Sequence, residues 1–275
     1  MTAQTQSPFQ ARIARDLVIV EGPDATSFLQ SLVSQDLDGV GVGESVHSLL
    51  LQPQGKLLVD FYALHHASDT WWCVCEGGFG PALAEGLGRF KIRVNAGIRN
   101  VAVAALAVRG VVPAPASGVA LVAVAWGGVA AVDAVGGDEA IVAFGRALGL
   151  PSLDDGEYER ARIEAGVPRQ GFDVDERTIP QEAGLEHDAV SFTKGCFVGQ
   201  ELVCRIDTRG HVNRVLRRLR SDGTLARGAD VVQGDKVVGE VTSAGGPVAL
   251  AMVRREVGPG AEVAAAGVRA LVEEL

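Results

Sequence analysis

Aromatic residues make up only 5% of the 275-residue chain, so a packed core has to be built from Val, Leu and Ala. Basic residues are also short, 25 against 34 acidic, and the formal charge of −9 argues against nonspecific binding to nucleic acid or an anionic membrane over the whole surface. No apolar run reaches the length of a membrane span. The opening residues, MTAQTQSPFQARIARD, hold neither an apolar signal core nor the Arg/Ser bias of a transit peptide. A cytoplasmic, monomeric protein with reduced cysteines is expected.

Cysteine is scarce: there are four, and neither Cys73 with Cys75 nor Cys196 with Cys204 has CxxC spacing. The five histidines form no H-x-x-x-H pattern, so no metal site is expected. Cys73, Cys75 and Cys204 read as small core thiols. A phosphate-cradling loop is missing as well, because GGFGP at 77–81 has neither a P-loop lysine nor Rossmann spacing. There is no solenoid-type repeat.

What is present is a dense series of short elements. DLVIVEG (16–22) reads as a strand, and Pro23 and Asp24 open a helix with Phe28, Leu29, Leu32 and Val33 at helical spacing. Residues 48–64 read as a hairpin turning at Pro53 and Gly55, followed by the strand TWWCVCE and a helix over FGPALAEGLGRF. Two strands follow in KIRVNAGIRNVAVAALAV, then a further strand group between 108 and 137 with Pro113–Gly118 as a linker. DEAIVAFGRALGL is a helix, and a short one at YERARIEAG stops at Gly166 and Pro168. From 211 onward, six short β-like runs separated by glycines suggest a small β-barrel or sandwich.

Cys196, in KGCFVGQEL, is the one cysteine with an unusual setting. Lys194 would favour its thiolate, a helix starting after it would add to that, and Gly195 and Gly199 leave room for a close approach. His187 is a candidate base by proximity in sequence. Glu164 sits in the last turn of its helix, where the macrodipole repels negative charge. It either pairs with Arg160 at i,i+4 or points into a cleft to accept two parallel N–H bonds, such as a 2-amino-4-oxo pyrimidine edge offers. Asp60 shares a strand face with Leu58, Tyr62 and Leu64 and needs a hydrogen-bond partner or a function there. Arg205, Arg209, Arg214, Arg217, Arg218 and Arg220 crowd one stretch, which reads as a solvated strand edge or as a site for a polyanionic ligand tail. GGDEA (136–140) looks like the GGDEF signature of cyclic-dinucleotide cyclases, but its acids are ordinary first-turn residues of a helix.

Three blocks converge on a family: RIEAGVPRQGFDVDERTIPQEAGLE (162–186), VSFTKGCFVGQE (190–201) and RGHVNRVL (209–216). Together with GPDATSFLQSLVSQDL, LLLQPQGKLLVDF and GEVTSA…ALAMVRR, they resemble the folate-binding YgfZ-type proteins of iron–sulfur cluster assembly and repair, relatives of the glycine-cleavage T-protein. The resemblance covers nearly the whole chain. It implies an α+β fold, with a two-lobed body of mixed or antiparallel sheets with helices over 1–210, lobe boundaries near 50 and 108, and a C-terminal β-barrel over 211–275. Tetrahydrofolate or a derivative would bind in a central opening. Glu164, Arg162, Lys194, Gly195, Gly199, Gln200 and Glu201 would contribute to folate binding, with Cys196 and Asp60 in the catalytic positions. Phe61 stands where T-proteins carry a second aspartate, which weakens the aminomethyl- or methyltransferase alternative. The partners implied are iron–sulfur client or assembly proteins, with no nucleic acid and no membrane.

Overall fold

The structure, a computed structural model, describes residues 7–275. The chain divides into two compact units, residues 1–153 with 186–204 and residues 154–185 with 205–275. The barrel unit therefore takes in residues 154–185 as well as the tail from 211.

The first unit begins with β1 (Phe9–Ile13), β2 (Arg15–Glu21) and α1 (Ala25–Gln30). It continues with β3 (Ser45–Leu51), β4 (Leu57–Ala67), β5 (Thr70–Glu76), α2 (Gly80–Gly88) and β6 (Gly97–Ala102). Then come β7 (Ala104–Arg109), β8 (Val119–Ala123), β9 (Ala131–Gly136) and α3 (Asp138–Leu148). After α4 (Asp155–Glu164) of the second unit, α5 (Glu186–Ala189) and the start of α6 (Gln200–Arg209) return to the first. Two antiparallel sheets result, ordered β3-β4-β5-β2-β6 and β1-β7-β9-β8.

The two sheets pack through Leu17, Ile19, Leu64 and Val74 of the first against Ala105, Val122 and Val135 of the second. The opposite face of the larger sheet is covered by α1 and α2, over a core of Val18, Val20, Phe28, Leu29, Val59, Phe61 and Trp71. Cys73 and Cys75 share that core, where burial pushes the Cys73 thiol up to about 12. Residues 113–118, expected as a linker, only connect β7 to β8, and both of those strands pair with β9. Helix α1 ends at Gln30, short of the expected Leu32 and Val33, which are buried in the turns beyond it.

One buried ionic group joins the sheets. Asp133 accepts from Arg109 at 2.7 Å and from Arg15 at 2.8 Å, and Arg15 also reaches Glu76. Arg109 also donates to the Val132 carbonyl at 2.7 Å and lies 4.4 Å over the Trp126 ring. Burial alone would raise the Asp133 carboxyl, but the Arg15 and Arg109 charges outweigh it and hold the group below the usual carboxylate range.

The second unit is a closed barrel ordered β10-β13-β12-β11-β14-β15. Its strands are β10 (Arg214–Ser221), β11 (Asp230–Gln233), β12 (Lys236–Gly245), β13 (Val248–Arg254), β14 (Glu262–Ala265) and β15 (Val268–Glu273), the six runs expected from the sequence. Closure leaves no unpaired edge. β10 pairs with both β13 and β15, so its arginines do not guard a strand edge, and Arg205 and Arg209 lie on α6 instead.

Helix α4 starts with a capping box, in which the Asp154 carboxylate accepts from the Glu157 N–H and Glu157 accepts from the Asp154 N–H. Because α4 is almost wholly polar, it is held by Arg162. That guanidinium donates to Glu159, to Asp173 at 2.8 Å, to the Ser243 hydroxyl at 2.8 Å and to the Val167 carbonyl.

Replacing Asp133 by Ala is expected to cost about 3–5 kcal/mol, since the buried Arg109 guanidinium loses its counter-charge and the half-buried Arg15 keeps only Glu76. Urea unfolding of the variant beside wild type measures the loss. The folded carboxyl lies below its unfolded value, so the wild-type contribution is complete above about pH 4 and fades as pH falls further. Asp133→Asn should therefore lose that part of the acid sensitivity.

Candidate functional site

The motif loop is built on the β3–β4 hairpin. Gly199 has φ +80°, and a Cβ there would lie 2.4 Å from the Gln52 carbonyl and 3.0 Å from Gly55 Cα. Gly55, at φ +76°, would in turn meet Leu202 at 2.7 Å and the Gly199 carbonyl at 2.9 Å. Two glycine backbones thus press together, and neither position admits a side chain. The turn runs into α6, where the Phe197 N–H donates to Gln200 Oε1 at 3.3 Å. Glu201, in the first turn of α6, is exposed.

Upstream, the loop is tied to the segment after α1. Lys194 Nζ donates to the carbonyls of Gln30, Val33 and Gln35, each at 2.8 Å, and to Gln30 Oε1 at 3.2 Å. The Ser191 N–H donates to the Ser34 carbonyl, and the Val198 N–H to that of Leu32. The Ser34 hydroxyl, buried, donates to the Ala189 carbonyl at 2.6 Å and accepts from the Leu49 N–H at 2.8 Å. Burial pulls the Lys194 ammonium down to about 8, against the pull of Asp36 and Asp38, and its carbonyl acceptors favour the charged form. Its ammonium therefore ties two chain segments together.

Between these two anchors, Cys196 is exposed and Phe197 is buried beneath the loop. Nothing lies within 4 Å of a Cβ built on Gly195, so the chain beside the thiol is open. His187 is 78% exposed and its nearest acid is Glu186 at 3.5 Å. Cys204 is half-buried on α6.

Asp60 projects from β4, with Leu57, Val59, Phe61 and Ala63 on the core face as the alternation requires. Its partner is His47 of β3, whose Nε2–H lies 2.5 Å from Asp60 Oδ1. The imidazole stacks on Tyr62 at 4.4 Å, and Tyr62 accepts from the Ala125 N–H at 3.1 Å. Burial, then the Asp60 charge, pushes the Tyr62 hydroxyl well above its ordinary value. His47 Nδ1 is buried without a hydrogen-bond partner, which assigns the ring proton to Nε2. His47 was missed in the sequence. The available signal was its place in a strand facing LLVDFY, on the same side of the sheet as Asp60, with the polar atoms of both side chains needing a partner.

Glu164 and Arg162 belong to the other unit. Glu164 does not take the local partner, Arg160, that its helix offers. Its carboxylate accepts both nitrogens of Arg220, at 2.8 and 3.2 Å, while Arg220 Nε and Arg218 Nε reach Glu273 at 2.8 Å. Arg160 is not involved. The parallel N–H pair anticipated for Glu164 is supplied by a barrel arginine, and the arginine-rich strand is largely consumed by internal acids. All five guanidinium N–H donors of Arg162 are likewise spent on protein acceptors.

A depression of about 620 Å³ lies elsewhere in the first unit, lined by Arg12, Asp16, Gly77, Gly78, Ala102 and Gly137 among others, and by none of the predicted site residues. Among the described residues no group of three or more His, Cys, Asp or Glu side chains is placed to hold a metal ion, and no helix is long and apolar enough to cross a membrane.

Comparison with solved structures matches the glycine cleavage system aminomethyltransferase T from Bartonella henselae at a TM-score of 0.85 and 21% identity, covering 98% of this chain and 86% of that one. The chain has the aminomethyltransferase T fold. Residues 214–274 match the family described as CAF17, C-terminal beta-barrel domain, in agreement with the closed six-stranded barrel. Among curated sequences, the mitochondrial iron-sulfur cluster assembly factor IBA57 of Mus musculus is 27% identical over 88% of this chain and 76% of its own. An aminomethyltransferase of Streptomyces avermitilis is also 27% identical, over 86% of this chain and 75% of its own.

Gly199→Ala is expected to destabilise the protein by roughly 1–3 kcal/mol through backbone strain and the clash with the hairpin. Gly195→Ala, four residues away in open space, should stay within about 0.5 kcal/mol of wild type. Thermal or urea unfolding of the pair decides whether Gly199 serves the docking of the loop. Lys194→Met should raise amide hydrogen exchange in residues 30–37 and 188–199 while leaving the barrel unchanged.

Proposed function

We propose that this chain is a tetrahydrofolate-binding accessory protein for the assembly or repair of iron–sulfur clusters, of the YgfZ type, and that Cys196 is its working thiol. The observation that carries this reading is the motif loop. A T-protein fold anchors KGCFVGQE at Lys194 and at Gly199 and leaves the thiol between them exposed beside the open Gly195. The relatives named as iron-sulfur cluster assembly factors support the same reading.

Glu164 suits the pterin edge. Its side chain is about one-third exposed, and Arg220 occupies only part of a carboxylate's roughly four acceptor positions. Arg162 would act indirectly, by fixing α4, because it has no donor left. Asp60, oriented by His47, would face the reacting end of the folate. Bound folate would supply a carrier for a one-carbon group, and Cys196 an exposed sulfur for a client or cluster.

Calorimetric titration of the reduced protein with tetrahydrofolate is expected to show saturable one-site binding. Glu164→Gln should weaken it tenfold or more, about 1.4 kcal/mol or above. Absence of binding at millimolar folate would sink the folate reading. Cys196→Ser should bind folate normally yet fail to restore the activity of [4Fe–4S] enzymes in cells lacking the protein, and full restoration would remove the thiol from the mechanism.

A second reading, folate-dependent aminomethyl transfer, is favoured by the Asp60–His47 pair and by the relatives named aminomethyltransferase. Phe61, buried in the core beside Asp60, leaves that strand without a second carboxylate. Turnover of an aminomethylated lipoyl carrier with tetrahydrofolate would establish this reading.

A further inference from the structure

Helix α2 is followed by the run Arg89-Phe90-Lys91-Ile92-Arg93, and all five residues are exposed. Phe90 is 42% and Ile92 77% exposed, the latter the highest among the described large apolar residues. Arg89 pairs with Glu85 at 2.6 Å, but among the described residues Lys91 and Arg93 have no ion-pair partner. The protein carries a charge of −9, yet no acidic residue occurs from position 86 through 132. This loop is therefore a small cationic island with an apolar centre.

The loop is also rigidly shaped. Its N–H groups at Phe90, Lys91 and Ile92 donate to the carbonyls of Leu87, Gly88 and Phe90 at 3.1, 3.1 and 2.9 Å. Arg93 takes φ +58°, a left-handed conformation uncommon for a residue other than glycine. Exposing two large apolar side chains on such a loop has no benefit for folding, and preorganisation lowers the entropic cost of binding.

Its position ties it to the thiol. A Cβ on Gly86, three residues before Arg89, would sit 2.7 Å from Leu50 and 2.8 Å from Leu58, so the end of α2 rests on the tip of the β3–β4 hairpin. A Cβ on Gly199 of the motif loop would likewise sit 3.0 Å from Leu51, the next residue of the same strand. One hairpin end supports both the cationic loop and the loop that bears Cys196.

We propose that residues 89–93 form a docking surface for a protein partner whose acidic patch surrounds an apolar pocket receiving Phe90 and Ile92. A protein fits better than a lipid surface. Two apolar side chains on one short loop give only a small insertion area, and the acidic body would be repelled by anionic headgroups. The cluster-assembly reading would make this partner a client or a cluster donor, but the surface itself does not depend on that reading.

The test is site-specific photo-cross-linking from position 92 of the full chain in the cells that make it, with position 237, also exposed on a neutral part of the barrel, as control. A dominant protein adduct from position 92 alone is expected. The identified partner, purified, should bind the wild-type chain with an affinity that falls tenfold or more between 50 and 500 mM salt. R89E/K91E/R93E should weaken binding tenfold or more, and F90S/I92S should do so without removing the salt dependence, while R146E on α3 should leave it unchanged. Equal adducts from both positions, no adduct, indifference to charge reversal, or saturable binding of the chain to vesicles with 30% phosphatidylglycerol in place of the protein would each overturn the proposal. Folate titration of the same variants separates this outcome from failure of the folate reading, because loss of partner binding with intact folate binding concerns the loop alone.

Discussion

The contact between Gly199 and Gly55 is the constraint on which the placement of the thiol depends. A backbone-to-backbone contact of this kind cannot relax by rotating a side chain, so the loop has one seat on the hairpin. Lys194 then fixes the other end through the carbonyls of Gln30, the last residue of α1, and of Val33 and Gln35 beyond it. With both ends determined, the residues between them cannot wander, and Cys196 is presented from a rigid frame although it makes no structural contribution of its own. A loop seated at both ends in this way escapes the imprecision loops usually bring.

The same logic of spent donors separates structural from functional charge elsewhere. Arg162 and Asp133 are each buried, and each is engaged by charged partners on other segments of the chain. Helix α4 is the clearest case, being too polar to hold its place by hydrophobic packing. Glu164 differs because it remains partly exposed after its fork with Arg220, and His47 differs because it keeps one buried nitrogen without a partner. Incomplete satisfaction is what marks a polar group as available for chemistry, since a buried polar atom without a partner is costly unless something uses it.

Much of the architecture was legible because each element announces itself locally. The six barrel strands are separated by glycines, and the β4 alternation places Asp60 on the outer face. What could not be read are the pairings at long range. Nothing in RARIE says that its glutamate meets an arginine 56 positions later, so Arg160 was the natural local partner and Arg220 the actual one. The arginine-rich strand looked like a guarded edge because closure of the barrel, which removes the edge, is a property of all six strands together. His47 was invisible for a similar reason, since its significance arises only when β3 registers against β4.

Lys194 shows how a motif can be read correctly in place and differently in role. Its proximity to Cys196 in sequence suggested an electrostatic effect on sulfur, yet three carbonyl oxygens and an amide oxygen surround its ammonium. A lysine so enclosed acts first on the backbone. Any influence on the thiol then passes through geometry, by holding the loop in the one conformation that exposes sulfur beside an open glycine. A motif spaced K-G-C-F-x-G-Q-E thus divides its labour in a way the linear string conceals: the lysine and the second glycine anchor, the phenylalanine fills, and the first glycine clears space. Between them the exposed Cys196 is the residue that the others do not restrain.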